Sequence, residues 1–152
     1  MLLDRDGVIN VDRSDYVKSA DEWIPIPGSI QAIRDISRVH DIAVCTNQSA
    51  VGRGIISRSD IDAIHHGMKL SIDLPDLESP VVYVCPHGPQ ENCDCRKPKP
   101  GLLEAAMCDF DAAPSTTYFV GDSVSDIVAA GNAGCIPVLV RTGKGHTTEP
   151  AI

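Results

Sequence analysis

Two aspartates separated by one residue stand where a short apolar run gives way to a polar turn: Asp4 and Asp6 in LLDRDGVIN. Three further polar signals bear the same relation to apolar segments: VCTNQS with Thr46, Lys97 ahead of a stretch of helical period, and VGDSVSD with Asp122 and Asp126. Carboxylates can serve as nucleophiles, as proton-transfer groups or as ligands of a hard cation. In isolation an Asp-x-Asp-Gly is as readily a strand followed by a polar turn. In an open parallel sheet, however, the catalytic crevice lies beyond the carboxyl ends of the strands, so four signals that each follow a strand or open a helix converge there. Gly7 then lets the chain turn away without a side chain covering the site.

A second cluster has a different chemistry. Six cysteines occur in the chain, and three of them, with a histidine, fall inside the eleven residues of CPHGPQENCDC. Close Cys and His spacing in a chain without secretory signals reads as a metal site rather than as disulfides. Cys85, His87, Cys93 and Cys95 are four soft or borderline ligands, a complete set for a closed tetrahedral zinc site with no opening for catalytic water. Cys45, Cys108 and Cys135 stand alone in apolar stretches, and each is expected to be a small buried hydrophobe.

The elements that must position these residues follow from hydrophobic period. At 152 residues and 43% hydrophobic content the chain has enough apolar side chains for one substantial core, and residues 1–152 are read as a single domain. Short apolar runs alternate with segments of helical period, the pattern of an α/β fold: a Rossmann-like parallel sheet with helices on both faces. Strands are expected at Leu2–Leu3, Ile42–Cys45, Val81–Cys85, Tyr118–Val120 and Pro137–Val140. Helical faces are carried by Ile30, Ile33 and Ile36 after Pro27-Gly28, by Ile61, Ile64, Met68 and Ile72 after a capping pattern at Ser57 and Asp60, and by Leu102, Leu103, Ala106, Met107 and Phe110. A last helix begins near Ser125 and ends before Gly134, a residue suited to a left-handed cap. The first strand is short and no closing helix follows the fifth, so the chain is expected to be shortened at both ends.

A formal charge of -8 argues against a sequence-independent nucleic-acid binder, which needs a basic face. No apolar run approaches the roughly 20 residues that span a bilayer. The expectation is a cytoplasmic monomer without nucleic-acid or membrane partners.

The segments DRDGVIN, TNQS, the lysine at 97 and GDSVSD resemble, in order and over nearly the whole chain, the four motifs of the haloacid dehalogenase superfamily of phosphatases. The finer pattern, DRDGVIN with DYV, TNQS with RG, CPH with CDCRKPKPG, and LVRTGKG, resembles the heptose-bisphosphate phosphatases, with the histidinol-phosphate phosphatases as a sister group that shares the zinc loop. The resemblance implies a haloacid dehalogenase-like fold without a large cap domain, because neither residues 11–27 nor residues 47–96 leave room for one, plus a small zinc-binding loop over 85–97.

It implies roles as well. Asp4 is the nucleophile that accepts the phosphoryl group, and Asp6 protonates the leaving oxygen and then deprotonates water. Thr46 and Lys97 donate to the phosphate. Mg2+ is held by Asp4, Asp122 and the main-chain carbonyl of Asp6. Asp126 reads equally as part of the metal site or as a carboxylate favoured at a helix N-terminus. Ser123 departs from the lysine that some heptose-bisphosphate phosphatases carry there. Candidate contacts to a small phosphorylated sugar are Asp12, Tyr16, Asn47, Gln48, Ser49 and Arg96, the last because its fork can bind hydroxyls or a second phosphate. Tyr16 could equally pack over Trp23. The leading expectation is removal of one phosphate from a heptose bisphosphate. Histidinol-phosphate hydrolysis is the rival, and a zinc-stabilised interaction module without turnover is a more distant one.

Overall fold

A computed structural model describes residues 1–76 and 78–152. Five parallel strands form one sheet in the order β3-β2-β1-β4-β5, with β1 at Leu2–Leu3, β2 at Ala43–Asn47, β3 at Val81–Cys85, β4 at Tyr118–Gly121 and β5 at Ile136–Leu139. Strand side chains alternate between the two faces, and the burial follows that period. Leu3 and Val44 face one apolar layer, where Ile33 of helix α1 (Ser29–Ile36) and Ile61, Ile64, Met68 and Ile72 of helix α3 (Arg58–Ile72) pack. Leu2, Ala43, Cys45 and Phe119 face the other, against Leu103, Ala106 and Met107 of helix α4 (Gly101–Asp109) and Ala129, Ala130 and Ala133 of helix α5 (Val124–Ala133). The expected sheet with helices on both faces is therefore present.

Helix ends follow the local chemistry. Ser57 caps α3 in a complete capping box: its hydroxyl accepts the Asp60 N–H at 3.1 Å, and the Asp60 carboxylate accepts the Ser57 N–H at 2.7 Å. Ser123 and Asp126 repeat the arrangement on α5, and Gly134, at φ 74°, closes it with the left-handed cap.

Three expectations are corrected. Strand β2 runs on through Thr46 and Asn47, paired with Val84 and Cys85, which carries both polar residues to the crevice on rigid backbone. A short helix α6 (Gly145–Thr148) follows β5 where no closing helix was expected. Cys108 is exposed rather than buried, because Leu103, Ala106 and Met107 already take the inward face of α4 and the next residue turns about 100° outward. A further one-turn helix, α2 (Ser49–Gly52), opens directly after β2.

Between β1 and α1 lie only loop, two isolated bridges and a single 3-10 turn at Ala20–Glu22, so no cap domain covers the sheet from this side. Among the described residues no helix is long and apolar enough to cross a membrane.

Candidate active site

After β1 the chain continues into neighbours on both sides, β2 and then β3 on one, β4 and β5 on the other. The crevice at this change of direction is where an open parallel sheet binds its ligand. Asp4 leaves the end of β1 and its N–H is held by the carbonyl of Val120 at 2.9 Å, which sets it beside Asp122 at the end of β4. A cleft of about 500 Å³ opens here, and its walls include Asp4, Asp6, Asp12, Tyr16, Asn47, Gln48, Ser49, Arg96, Lys97 and Asp122. Together with Ser123 and Asp126, twelve residues singled out in sequence are thus brought to one cavity.

At the floor, carboxylate oxygens of Asp4, Asp122 and Asp126 lie within 4.8 Å of one another, all three residues buried. The Lys97 ammonium, itself almost fully buried, reaches Asp4 at 2.8 Å and Asp126 at 2.7 Å. Burial pushes the Asp4 carboxyl up to about 7 against the pull of Lys97, with Asp126 and Asp6 adding like charge. Burial also raises Asp122, opposed by the Lys144 N–H that its carboxylate accepts at 2.7 Å. For Lys97 burial works downward, but the two carboxylates outweigh it and hold the ammonium charged. One lysine does not balance three buried carboxylates. This all-oxygen donor set, short of positive charge, fits a hard divalent cation. Asp126 already spends one oxygen on Lys97 and the other on the Ser123 hydroxyl at 2.6 Å and N–H at 3.0 Å, which satisfies both readings of it: helix-cap carboxylate and member of the cluster.

Packing leaves no slack around these groups. A Cβ added at Gly7 or at Gly143 would collide with the Asp122 carboxylate, and both glycines have positive φ, 82° and 56°. Thr142 ties the two loops together by donating its hydroxyl to the Gly7 carbonyl at 2.6 Å.

Asp6 sits in a different environment. Its carboxylate accepts from Arg5 Nη2 at 2.9 and 3.1 Å, from Asn10 Nδ2 at 2.9 Å and from Gln48 Nε2 at 2.8 Å. Burial pushes this carboxyl up, but Arg5 and the hydrogen bonds prevail and hold it below the usual carboxylate range. Thr46 is buried beneath the cleft, and its hydroxyl accepts from the same Gln48 amide at 2.8 Å. Asn47 turns to the main chain of Lys97, accepting its N–H and donating to its carbonyl, both at 3.1 Å. Asp12 pairs with Lys144 at 3.0 Å across the mouth, and Tyr16, at φ 67°, packs against the apolar layer that contains Trp23.

Sequence reasoning missed Arg5, Asn10, Arg53 and Lys144. Arg53 and Lys144 line the cleft, whereas Arg5 and Asn10 grip Asp6. Arg5 lay in plain view between two aspartates, but a charged residue beside a turn carries no sign that it is buried.

The cysteine cluster also assembles. Ligand atoms of Cys85, His87, Cys93 and Cys95 lie within 4.8 Å of one another. Cys85 Sγ is 3.6 Å from His87 Nδ1 and 3.7 Å from Cys93 Sγ, and Cys95 Sγ is 3.3 Å from His87 Nδ1. Bonds of about 2.3 Å to sulfur and about 2.0 Å to nitrogen in a tetrahedron put the ligand atoms about 3.5–3.8 Å apart, so the donors fit zinc. The loop leads straight into the cleft: Arg96 Nη1 donates to the His87 carbonyl at 3.0 Å, and Lys97 follows.

A parallel sheet of this order, with carboxylates at the ends of its first and fourth strands and a buried lysine paired with the first of them, is of the haloacid dehalogenase-like class. Consistently, the HAD-hydrolase-like family profile matches residues 94–151. The chain is 46% identical to D-glycero-beta-D-manno-heptose-1,7-bisphosphate 7-phosphatase of Pseudomonas aeruginosa, over 97% of this chain and 84% of the relative. The Neisseria meningitidis serogroup A enzyme of the same name is 44% identical, over 97% and 80%. In three dimensions, the D,D-heptose 1,7-bisphosphate phosphatase of B. bronchiseptica, crystallised with magnesium and phosphate, superposes with a TM-score of 0.92 at 40% identity, covering 100% of this chain and 86% of that one. The chain belongs to the D-glycero-beta-D-manno-heptose-1,7-bisphosphate 7-phosphatase family of haloacid dehalogenase-like hydrolases.

Proposed function

We propose that the protein is a phosphoric monoester hydrolase that removes the 7-phosphate of D-glycero-D-manno-heptose 1,7-bisphosphate, in the cytoplasmic synthesis of activated heptose for surface polysaccharide. The observation that carries this reading is the buried Asp4–Lys97–Asp126 chain at the floor of a cleft, in a chain 46% identical to a phosphatase of that name. Asp4 attacks phosphorus, forming an Oδ–P bond as the bond from phosphorus to the sugar oxygen breaks. Asp6 delivers a proton to that departing oxygen. The hydrogen bonds donated to Asp6 by Arg5, Asn10 and Gln48 favour its ionised form, and the negative charge of an arriving phosphate is what raises its affinity for the proton. Water then attacks the phosphorus of the aspartyl phosphate and gives its proton to Asp6 as the Oδ–P bond breaks, which releases inorganic phosphate and the free Asp4 carboxylate. Lys97 and Thr46 supply donors to the equatorial oxygens, where negative charge accumulates.

Asp4, Asp122 and the main-chain carbonyl of Asp6 would hold Mg2+, which when bound neutralises charge between nucleophile and phosphate. In this reading Asp126 orients Lys97: its Oδ1 faces the ammonium as an ion pair without a hydrogen bond, and its Oδ2 accepts from Ser123. Cys85, His87, Cys93 and Cys95 would hold a structural zinc, with all four positions filled by protein. Arg96, Ser49, Asp12 and Tyr16 are assigned to the sugar side of the cleft, Asn47 to the Lys97 backbone, and Gln48, expected from the sequence to touch substrate, to holding Asp6, since its amide already serves Asp6, Thr46 and Arg5. The unit acts as one domain and a monomer.

Turnover measured side by side on heptose 1,7-bisphosphate and histidinol phosphate tests the proposal. Preference for the heptose substrate is expected. Faster turnover of histidinol phosphate overturns the substrate assignment while leaving the phosphatase chemistry in place.

A further inference from the structure

Arg5 is 1% exposed, so nearly all of its guanidinium donors must find partners inside the protein. Nη2 and Nε face the Asp6 carboxylate, and Nη2 also reaches Gln48 Oε1 at 3.2 Å. On the opposite edge, Nη1 meets Nε2 of His65 at 3.1 Å. An arginine keeps its charge in a protein, so the ring nitrogen facing it is the acceptor, and the imidazole is neutral with its proton on Nδ1. Burial, with Arg5 beside it, pushes His65 down to about 3, in keeping with that assignment. His65 does not line the catalytic cleft; it lies in the middle of α3, beside Ile64 and Met68, which are fully buried.

We propose that His65 is a positioning residue for the proton transfer carried out by Asp6, acting through the buried fork of Arg5. The guanidinium is planar and rigid, so fixing Nη1 fixes the plane in which Nε and Nη2 present themselves to the carboxylate. Asn10 and Gln48 grip the same carboxylate from the loop after β1 and the end of β2. His65 adds an anchor from a helix locked into the core. Without it, Arg5 loses the partner on its far edge and can rotate away from Asp6, taking the carboxylate off its line to the leaving oxygen. Misplacement of this kind slows a reaction without weakening substrate binding.

The inference rests on the assignment of Asp6 to proton transfer, and leaving-group dependence separates the two. A sugar alkoxide needs a proton to depart, whereas 4-nitrophenolate does not, so loss of general acid catalysis slows heptose 1,7-bisphosphate far more than 4-nitrophenyl phosphate. The variants are Asp6→Asn, His65→Leu, His65→Met and His65→Gln, each assayed on both substrates in saturating magnesium after a thermal melt. Asp6→Asn sets the pattern. Read in kcat/KM, which reports formation of the aspartyl phosphate and not the water attack that both substrates share, His65→Leu is expected to follow it on a smaller scale, about tenfold on the heptose substrate and about twofold on the aryl one. His65→Met keeps more of the side chain's length and should give the same split if the leucine variant does not fold. His65→Gln, whose amide oxygen can accept from Nη1, should recover to within about threefold of the native rate. Equal slowing of both substrates by the leucine and methionine variants, no slowing of either, or failure of glutamine to restore the rate overturns the role of His65. If Asp6→Asn itself lowers kcat/KM equally for both substrates, the assignment of Asp6 to leaving-group protonation fails and takes the His65 proposal with it.

Discussion

Asn47 and Lys97, fifty residues apart in sequence, exchange a reciprocal pair of hydrogen bonds of 3.1 Å, side-chain amide to main-chain amide. The bond pair fastens the end of the cysteine-rich loop to the rigid end of β2, so the ammonium of Lys97 emerges at a fixed point beside Asp4. Asn47 had looked like a substrate contact, yet both functional atoms of its side chain already serve the protein.

Asn47→Ala should therefore act through the lysine. Two main-chain groups lose their partners, which costs about 1–3 kcal/mol of stability where they stay dry, and kcat should fall about tenfold because Lys97 is no longer held to its position. Thermal melts and steady-state kinetics check both. A variant as stable and as active as the native chain would mean that Asp4 and Asp126 hold the lysine by themselves.

Asp4→Asn removes the carboxylate proposed as nucleophile and should abolish turnover and acid-stable phosphate labelling. Its effect on stability depends on pH. Burial lifts the Asp4 carboxyl to about 7, so between roughly pH 4 and 7 the folded chain retains a proton that the unfolded chain has released. Stability from this group is thus lost as pH rises through that window. Asparagine is neutral throughout, so in the presence of chelator the variant should melt several degrees above the native chain at pH 7.5, with the difference shrinking at pH 5. The same melting difference at both pH values would return Asp4 to an ordinary carboxylate.

The fold was legible because each of its layers has a periodic signature. Leu2 and Leu3, or Ala43 and Val44, point to opposite faces, and both faces are apolar, which only a sheet covered on both sides explains. Asp4, Asp6, Lys97 and Asp122 were legible because strand ends and helix starts mark where a crevice forms. Arg5, Asn10 and His65 were not, since a side chain's partner across the core leaves no trace in spacing: nothing local to Arg5 tells that His65, sixty residues on, will face it. Cys108 was misread for the opposite reason, an apolar setting in sequence that lies on the outer side of α4.

Asp126→Asn tests whether this carboxylate touches the cation or only orients Lys97. The amide can still accept from Ser123, so α5 should keep its cap. Lys97 then keeps a single carboxylate partner, Asp4, and a less well oriented lysine should lower apparent magnesium affinity about tenfold, the scale of an outer-shell change. Asp122→Asn should cost far more. Equal losses from the two variants, measured by magnesium titration of initial rates, would make Asp126 a direct ligand.

Zinc removal should impair catalysis without any change at the magnesium cluster. The loop that carries the cysteine cluster is a short polar segment with one 3-10 turn at Pro89–Glu91 and little apolar surface of its own, so its order depends on what ties its ends together. Cys93 and Cys95 immediately precede Arg96 and Lys97. Arg96 reaches back to the His87 carbonyl at 3.0 Å, and Lys99, outside the cleft, to the Cys93 carbonyl at 2.7 Å, so the segment that carries Lys97 is bonded on either side of it to the backbone of the cysteine cluster. Cys93→Ser, or treatment with a thiophilic chelator, should loosen this segment, lower kcat by about tenfold or more, and leave activity low at any magnesium concentration. Asn47 would remain as the one hydrogen-bonded clamp on the Lys97 main chain from β2, so the combination of Cys93→Ser with Asn47→Ala should lose more than either alone. Zinc content and activity measured on the same sample decide the matter: a zinc-free protein with unchanged kinetics breaks the coupling, whereas activity that tracks zinc occupancy and ignores added magnesium supports a purely positional role for the metal.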